Sequence, residues 1–384
     1  MISYLSVSIL WCRIMGLLWY SDDNVYNWKR KLYKFYTGLI IFMEITMSLT
    51  EFIALFGSFN DAEEFANASF LLVTHICGCL KMINIIVKQN VISKLLSTLL
   101  DNNLQPRDDN ETKILSIDGG RIRKVTIKYN FLVTFTISYF IISSLIRDIP
   151  LHQFPFSCTL PQILSTGKGY WVGYFYQIIA YYNIANIHIA FDILLYGLLM
   201  INCTHIKLLK YRISKINKYI EKMSYSKYNN NKKQIEYYYL KDCTKLQIFI
   251  YQFAKLLNGT FTYSIFIQYF VNSIAICSSA FQLTYTDTFS KEFGTLIVYI
   301  ICMTLQIYLY CIFGENISSE SDTLTFSLDE WTSLSINGKK SLIIMMLRSL
   351  KPIKYTCGYI VTLSLDAFTS ILKLSYSIFN LLHQ

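Results

Sequence analysis

The sequence predicts an all-α membrane protein with seven transmembrane helices. The 384 residues include 53% hydrophobic but only 16% charged side chains, whereas a soluble domain carries about 25% charged residues. Seven apolar stretches are each long enough to cross about 30 Å of hydrocarbon as a helix of roughly 20 residues. Length alone would allow two or three soluble domains, but these stretches exclude that interpretation.

The predicted spans follow one another with loops of very different length. In chain order they cover residues 36–56, 65–87, 127–146, 174–201, 259–283, 296–313 and 359–382. Their Gly, Ser and Thr content suits close contacts between helices in lipid. We divide the chain into residues 1–358, which hold spans one to six and the cytoplasmic helices, and residues 359–384, which hold the last span.

The charges of the loops predict the orientation. Of the 35 Lys and Arg residues, 30 fall on the side of the N-terminus and 3 on the opposite side, with two inside spans. Because positive charge is retained in the cytoplasm, we expect the N-terminus inside and the C-terminus outside. The first 20 residues show no signal peptide pattern. The net charge of +10 then belongs to a face beside anionic lipid and gives no reason to expect nucleic acid.

Apolar residues at helical spacing continue beyond spans four and five. Ile206, Leu209 and Ile213 extend span four, residues 239–257 lead into span five, and a basic amphipathic stretch covers 339–348. These segments are either separate solvated helices or extensions that pack together. Because an apolar helix face needs a partner, we predict a cytoplasmic anchor domain.

The sequence contains no pattern typical of an enzyme. It lacks a Gly-rich phosphate loop, His-Glu-x-x-His and Gly-x-Ser-x-Gly. Its ten cysteines and five histidines are scattered, without the spacing of a zinc site or a disulfide framework. We therefore predict no catalytic residue, no metal site and no cofactor.

Ionisable side chains inside the spans carry more information, because burial in lipid is unfavourable unless they face protein or water. Glu44 and Glu51 fall in span one. Lys81 and Asp192 lie toward inner ends, where snorkelling or pairing explains them. Lys373 is central in the last span, among polar residues that cover half of the helix. We predict that this half faces a water-filled path or other subunits; the alternative is a polar seam inside one bundle.

The C-terminal third of the chain resembles the insect odorant receptor family in the order and spacing of its residues. The match rests on Gln306, Tyr310, Cys311, Gly314, Glu315, Trp331, Lys340, Leu342, Met345, Pro352, Gly358, Leu363, Ser364, Leu365, Phe368, Leu372, Lys373, Tyr376, Ser377 and Leu381. The related gustatory receptors usually carry a Thr-Tyr pair followed by Gln-Phe in the last span. The sequence from Ser375 to Asn380 does not fit that pattern.

The resemblance implies a ligand-tuning subunit of an odorant-gated, non-selective cation channel. Four subunits, including the odorant co-receptor, would surround a pore lined by the last helix. The expected location is the plasma membrane of the olfactory sensory neuron dendrite, as a multi-pass protein. The alternative is a gustatory-type receptor channel or another seven-span receptor or transporter. A transporter is expected to show internal repeats and paired broken spans, and we see neither in the sequence.

Members of this family bind volatile ligands in the outer half of the bundle. With the predicted orientation, the residues expected to bind the ligand are Phe70, Thr74, Phe140, Ser144, Tyr176, Ile179, Tyr182, Tyr299 and Met303. Aromatic and apolar side chains with a few hydroxyls suit a small volatile molecule that is bound by burial of apolar area.

The pore residues follow from matching the last helix to the family position by position. This match implies a hydrophobic constriction at Leu381 and a polar ring at Gln384, with Ser377 one turn below Leu381. The helix face that carries Lys373 is equally polar, and periodicity alone does not choose between the two faces. Because a central Lys in every subunit would oppose cation flow, we expect that face to lie against neighbouring helices.

Overall fold

The computed structural model describes residues 2–18, 27–59, 62–101, 104–156, 158–161, 164, 167–226, 232–286, 291–326 and 331–382. The helices are α1 (Ser6–Ile14), α2 (Asn27–Gly57), α3 (Ala62–Val87), α4 (Gln89–Thr98), α5 (Asp109–Arg147), α6 (Lys168–Ser214), α7 (Ile216–Ser226), α8 (Lys232–Tyr285), α9 (Lys291–Asp322), α10 (Ile336–Ser349) and α11 (Leu365–Leu382). Short 3₁₀ helices cover Ile2–Leu5, Thr323–Phe326 and Trp331–Ser333, and two strands, β1 (Thr356–Cys357) and β2 (Val361–Thr362), precede α11.

Several of these helices have the length and composition of membrane spans. In the described ranges, α2, α5, α6, α8 and α9 are each long and apolar enough to cross a membrane, and α3 and α4 qualify together as a pair bent by 64°. Each of the first six predicted spans lies inside one helix: α2, α3, α5, α6, α8 or α9. The chain is therefore an all-α protein with five or six such candidates, and the count of seven stays a prediction.

Helix α6 is the centre of the bundle, and α2 lies at its edge. In α6, 89% of the most apolar window is buried inside the protein, against 22% in α2. Helix α6 is apolar around most of its circumference, which is typical of a helix enclosed by others. Helix α2 exposes Phe35, Phe42 and Leu49, side chains that are compatible with contact to lipid.

The last helix is shorter than the sequence predicted. Helix α11 begins at Leu365, so the part of the predicted 359–382 span before Leu365 is not helical. An antiparallel hairpin of β1 and β2 occupies this region. At its turn, Gly358 and Tyr359 have positive φ angles of 60° and 61°, which a right-handed helix does not allow.

Side chains of α8 explain why the hairpin replaces helix there. The Asn258 Oδ1 atom accepts a hydrogen bond from the Thr356 backbone N–H at 2.9 Å. The Thr262 hydroxyl donates to the Thr356 carbonyl at 2.8 Å, and the Gly358 N–H donates to the Thr262 carbonyl at 3.0 Å. Backbone groups that a helix would use internally are thus bound to another helix. The predicted start of the last span was wrong for this reason.

Helix α10 packs against the N-terminal half of α8. The Gln247 side-chain amide donates to the Met345 carbonyl at 3.0 Å and to the Ser349 hydroxyl at 3.1 Å. At the start of α10, the Ser335 hydroxyl donates to Glu236 on α8 at 2.7 Å. The predicted packing between the extension of span five and the 339–348 helix is therefore present.

The same region includes the extension of α6. Arg212 is fully buried, and its guanidinium donates to both carboxylate oxygens of Glu111 on α5, at 2.9 and 2.8 Å. Two parallel bonds of this kind are strong and directional. The Tyr239 hydroxyl of α8 donates to the Arg212 carbonyl at 2.8 Å, which joins α5, α6, α8 and α10 into one packed unit.

Candidate ligand cavity

Helices α3, α5, α6 and α9 surround a cavity of about 140 Å³. Most of its wall is apolar or aromatic and includes Leu71, Val133, Ile137, Phe140, Phe156, Ile184, Leu296 and Met303; polar side chains that reach it include Thr74, His75, Thr136, Tyr181, Tyr299 and Gln306. An engineered apolar cavity of roughly 150 Å³ is large enough to hold benzene. The present cavity therefore suits a molecule about the size of one ring or a short chain.

One wall of the cavity carries a pair of hydroxyls. Thr74 on α3 and Tyr299 on α9 have their oxygens 3.0 Å apart. Each hydroxyl can both donate and accept a hydrogen bond. In a largely apolar cavity, a few polar groups of this kind fix the orientation of a ligand.

The cavity ends at a buried polar network around Asp192. Gln306, which lines the cavity, donates to the Asp192 carboxylate. The same carboxylate accepts from the Lys81 ammonium at 2.6 Å, from the Tyr129 hydroxyl at 2.6 Å and from the Tyr310 hydroxyl. With Lys81 1% and Asp192 0% exposed, the desolvation of both charges is offset only because each is paired and hydrogen-bonded. Pairing was therefore the correct explanation of these two residues, and snorkelling was not.

The network continues from the cavity to the helix on which α11 packs. The Gln268 and Asn272 amides of α8 donate to the Gln306 side-chain oxygen at 2.9 and 3.1 Å. On the next residue of α8, the Ser273 carbonyl accepts from the Ser375 hydroxyl of α11 at 3.4 Å. A path of hydrogen bonds, which passes through the α8 backbone between Asn272 and Ser273, thus leads from the cavity toward the last helix.

No group of three or more His, Cys, Asp or Glu side chains in the described part of the chain is arranged to hold a metal ion. The ten cysteines are free thiols.

The structure brings four of the predicted ligand-binding residues together around this cavity. They are Thr74, Phe140, Tyr299 and Met303. Phe70 lies on α3, but its side chain is outside the described residues. Ser144, Tyr176, Ile179 and Tyr182 do not line this cavity.

Two of these residues, Ile179 and Tyr182, lie on the outer side of α6, away from the cavity. Ile179 is 51% and Tyr182 is 40% exposed. A helix turns about 100° per residue, so neighbouring positions of α6 point in different directions. Tyr181, one position away, lines the cavity instead.

The other two residues join secondary-structure elements to each other. The Ser144 hydroxyl lies 3.0 Å from the Tyr174 hydroxyl on α6. The Tyr176 hydroxyl lies 2.7 Å from the Thr46 hydroxyl on α2. Their hydrogen-bonding groups are therefore engaged between elements rather than at the cavity surface.

Sequence reasoning missed Tyr181, Ile184, Ala185 and His188, which all line the cavity. Their spacing of three, four and seven residues marks one helix face. The sequence contains this spacing, but α6 is apolar around most of its circumference, so the spacing does not single out one face. Only the neighbouring helices decide which of its faces borders the cavity.

The predicted pore residues lie at the end of the described chain. Ser377 is exposed on α11. Leu381 belongs to α11, but its side chain is outside the described residues, as is all of Gln384.

The described part of α11 has a clear inward face. Ala367, Ile371 and Ser375 are buried at spacings of four residues, whereas Lys373 and Asn380 are exposed. Within these residues, the polar half of the helix is therefore not a seam buried in its own bundle.

The candidate spans and the cavity define a class: a helical, multi-pass membrane protein with an internal cavity. The family model described as 7tm Odorant receptor matches residues 61–376, and the chain belongs to that family. Odorant receptor 46a, isoform A, of Drosophila melanogaster is 22% identical over 90% of this chain and 89% of the relative. Odorant receptor Or1 of Anopheles gambiae is 24% identical over 97% and 93%.

A solved structure shares the fold over the whole chain. The insect olfactory receptor OR5 from Machilis hrabei, in complex with eugenol, superposes with a TM-score of 0.85 at 16% identity and covers 100% of this chain and 98% of its own. The relatives are odorant receptors rather than enzymes, in agreement with the sequence prediction.

Proposed function

We propose that this odorant receptor is the ligand-tuning subunit of an odorant-gated, non-selective cation channel. It assembles with the odorant co-receptor as a heterotetramer in the plasma membrane of the olfactory sensory neuron dendrite. The observation that carries the proposal is the combination of a small apolar cavity with a last helix whose polar half is exposed in the described chain. Such a helix needs water or other subunits beside it, since lipid would disfavour it.

The ligand is a small volatile molecule that occupies the cavity. Its apolar body packs against the aromatic and aliphatic walls, and an oxygen atom binds the hydroxyls of Thr74 and Tyr299. The eugenol bound to OR5 is a molecule of this chemical type and supports the proposal.

The C-terminal segment 359–384, which contains helix α11, lines the pore, and residues 1–358 form the receptor bundle with its anchor helices. Leu381 forms a ring that closes the path by dewetting, without a charged plug, and Gln384 and Ser377 line the path on either side. The charge distribution of the loops supports an inward N-terminus and an outward C-terminus. The ends of α5, α6 and α8 that pack with α10 then lie in the cytoplasm as the anchor domain.

The channel proposal is tested by patch-clamp recording from cells that express this chain with and without the co-receptor. We expect a volatile agonist to evoke a cation current within milliseconds, only when both chains are present and without nucleotide or G-protein supply. A response that needs G-protein supply, or that develops without the co-receptor, would contradict the proposal.

The pore proposal predicts separate effects for neighbouring residues. Leu381→Ala should leave a leaky or more easily opened channel, because a smaller side chain no longer dewets the path. Gln384→Lys should reduce divalent cation permeability by adding positive charge at the mouth. Asn380→Ala is the matched control and should leave selectivity unchanged. If only the Asn380 variant alters selectivity, the pore-lining face is the one that carries Lys373.

A further inference from the structure

Three ionisable side chains meet beside the cavity, outside the Asp192 network. Glu44 and Glu51 are two turns apart on one face of α2, and His75 on α3 lies between them. All three are at most 1% exposed. The His75 Nε2 atom is 2.9 Å from Glu44 and its Nδ1 atom is 3.5 Å from Glu51.

The charges of this cluster do not balance if all three groups are ionised. In the described chain, His75 is the only basic side chain that pairs with either carboxylate. The titratable groups that face the cluster from α3, the segment before α6, α6 and α9 are Cys79, Cys158, Tyr176, Tyr181, His188 and Tyr299. None of these adds a positive charge that would compensate the second carboxylate at neutral pH.

An uncompensated carboxylate in a dry site is strongly unfavourable. The cluster reaches zero net charge when His75 is protonated and one of the two carboxyl groups carries a further proton. Three carboxyl oxygens, both of Glu44 and Oε2 of Glu51, have no hydrogen-bond partner among the described residues, although Glu44 Oε2 is in ion-pair range of His75. Buried atoms of this kind need an explanation. A carboxyl group that carries a proton is neutral, and its burial is far less unfavourable than that of an ionised carboxylate.

The cluster is coupled to the cavity through Tyr181. The Tyr181 hydroxyl donates to Glu51, and its ring stacks on Phe156 with centroids 3.4 Å apart. Phe156 in turn stacks on Phe140 at 5.2 Å. Tyr181, Phe156, Phe140 and His75 all line the cavity, so the bond to Glu51 holds one aromatic wall in place.

We propose that Glu44, Glu51 and His75 form a proton-binding site that positions Tyr181 and so makes the ligand affinity of the cavity depend on pH. The inference rests on the proposed ligand-binding function. A hydrogen bond to an ionised carboxylate is about twice as strong as one to a neutral acceptor. As the pH falls and the cluster takes up a further proton, the negative charge that holds the Tyr181 hydroxyl is reduced, and Tyr181 is held less firmly. The wall then loosens, and the ligand binds more weakly.

The proton site itself is tested without a ligand, by infrared spectroscopy of the purified full chain between about pH 5 and pH 8, where imidazole changes its charge. We expect a protonated carboxyl band at neutral pH that is lost in Glu51→Gln and in Glu44→Gln. In Tyr181→Phe, which keeps all three ionisable groups, the band should remain. Absence of the band from the wild-type protein would overturn the proposal.

The coupling is tested by agonist dose–response curves of the chain with its co-receptor over the same pH range, with eugenol and a panel of smaller ring volatiles as probes. In the wild-type protein, the half-maximal concentration should rise about fivefold on acidification, the usual difference between a bond to an ionised and to a neutral acceptor. Glu51→Gln and Tyr181→Phe should abolish this dependence, and Glu51→Asp should restore it.

The two proposals fail in different ways. If no probe evokes a current, the channel proposal fails, while the infrared band still decides the proton site. If currents appear but the pH dependence is equal in the wild-type protein and Tyr181→Phe, the coupling is wrong and the receptor function stands. Should Glu51→Gln fail to reach the membrane, the comparison with Tyr181→Phe still gives a decision.

Discussion

Asp192→Ala is expected to remove most of the folded protein from the cell surface and to lower the unfolding temperature of what remains. The substitution leaves the Lys81 ammonium buried without its counter-charge and deprives Tyr129, Tyr310 and Gln306 of their acceptor. Breaking a buried ion pair by removing one partner typically costs about 3–5 kcal/mol. The measurement is thermal unfolding of the purified full chain, together with surface labelling.

Two controls show whether charge is the cause. The double variant Lys81→Met with Asp192→Asn removes both charges, and it should recover at least half of the lost stability. Lys207→Met breaks a pair of similar length, 3.0 Å to Asp118, whose Lys is 29% exposed. It should cost at most about 1 kcal/mol. A double variant as unstable as Asp192→Ala would mean that hydrogen bonding, rather than charge pairing, dominates the network.

Tyr299→Ala is expected to raise the half-maximal concentration of a single-ring agonist at least about tenfold, equivalent to roughly 1.4 kcal/mol. The change removes an aromatic wall and the hydroxyl that faces Thr74. It also enlarges the cavity, so the half-maximal concentration of larger volatiles should fall relative to that of smaller ones. Dose–response curves for a series of ring sizes measure both effects.

Tyr182→Ala is the matched control for this experiment, because it deletes the same side chain from an exposed position of α6. Its dose–response curve should coincide with that of the wild-type chain. Tyr299→Phe separates the hydroxyl from the ring and should affect only ligands that carry an oxygen. Currents evoked by an agonist of the co-receptor should survive in every variant. Their loss together with the ligand response would indicate misfolding instead of a changed cavity.

The first six spans predicted from the sequence lie inside helices of the structure, and the last one does not. The apolar composition of residues 174–201 predicted a span, and this span lies within α6. Composition does not depend on how a helix is rotated, so the prediction needed no knowledge of the rotation. The rotation itself determined whether Tyr181 or Tyr182 would line the cavity, and one step of about 100° separates them. The last span was predicted too long because local sequence does not show the hydrogen bonds that Asn258 and Thr262 make to the hairpin. These bonds join segments about a hundred residues apart.

The sequence by itself determined the all-α class, the position of the first six apolar helices and the family. Each of these depends on local composition or on residue order, which the chain carries without folding. Tertiary structure alone decided which ionisable groups meet: Lys81 with Asp192, and Glu44 and Glu51 with His75. The physical reason is that a buried charge is tolerated only beside a specific partner, and the identity of that partner depends on how helices distant in sequence are rotated against each other.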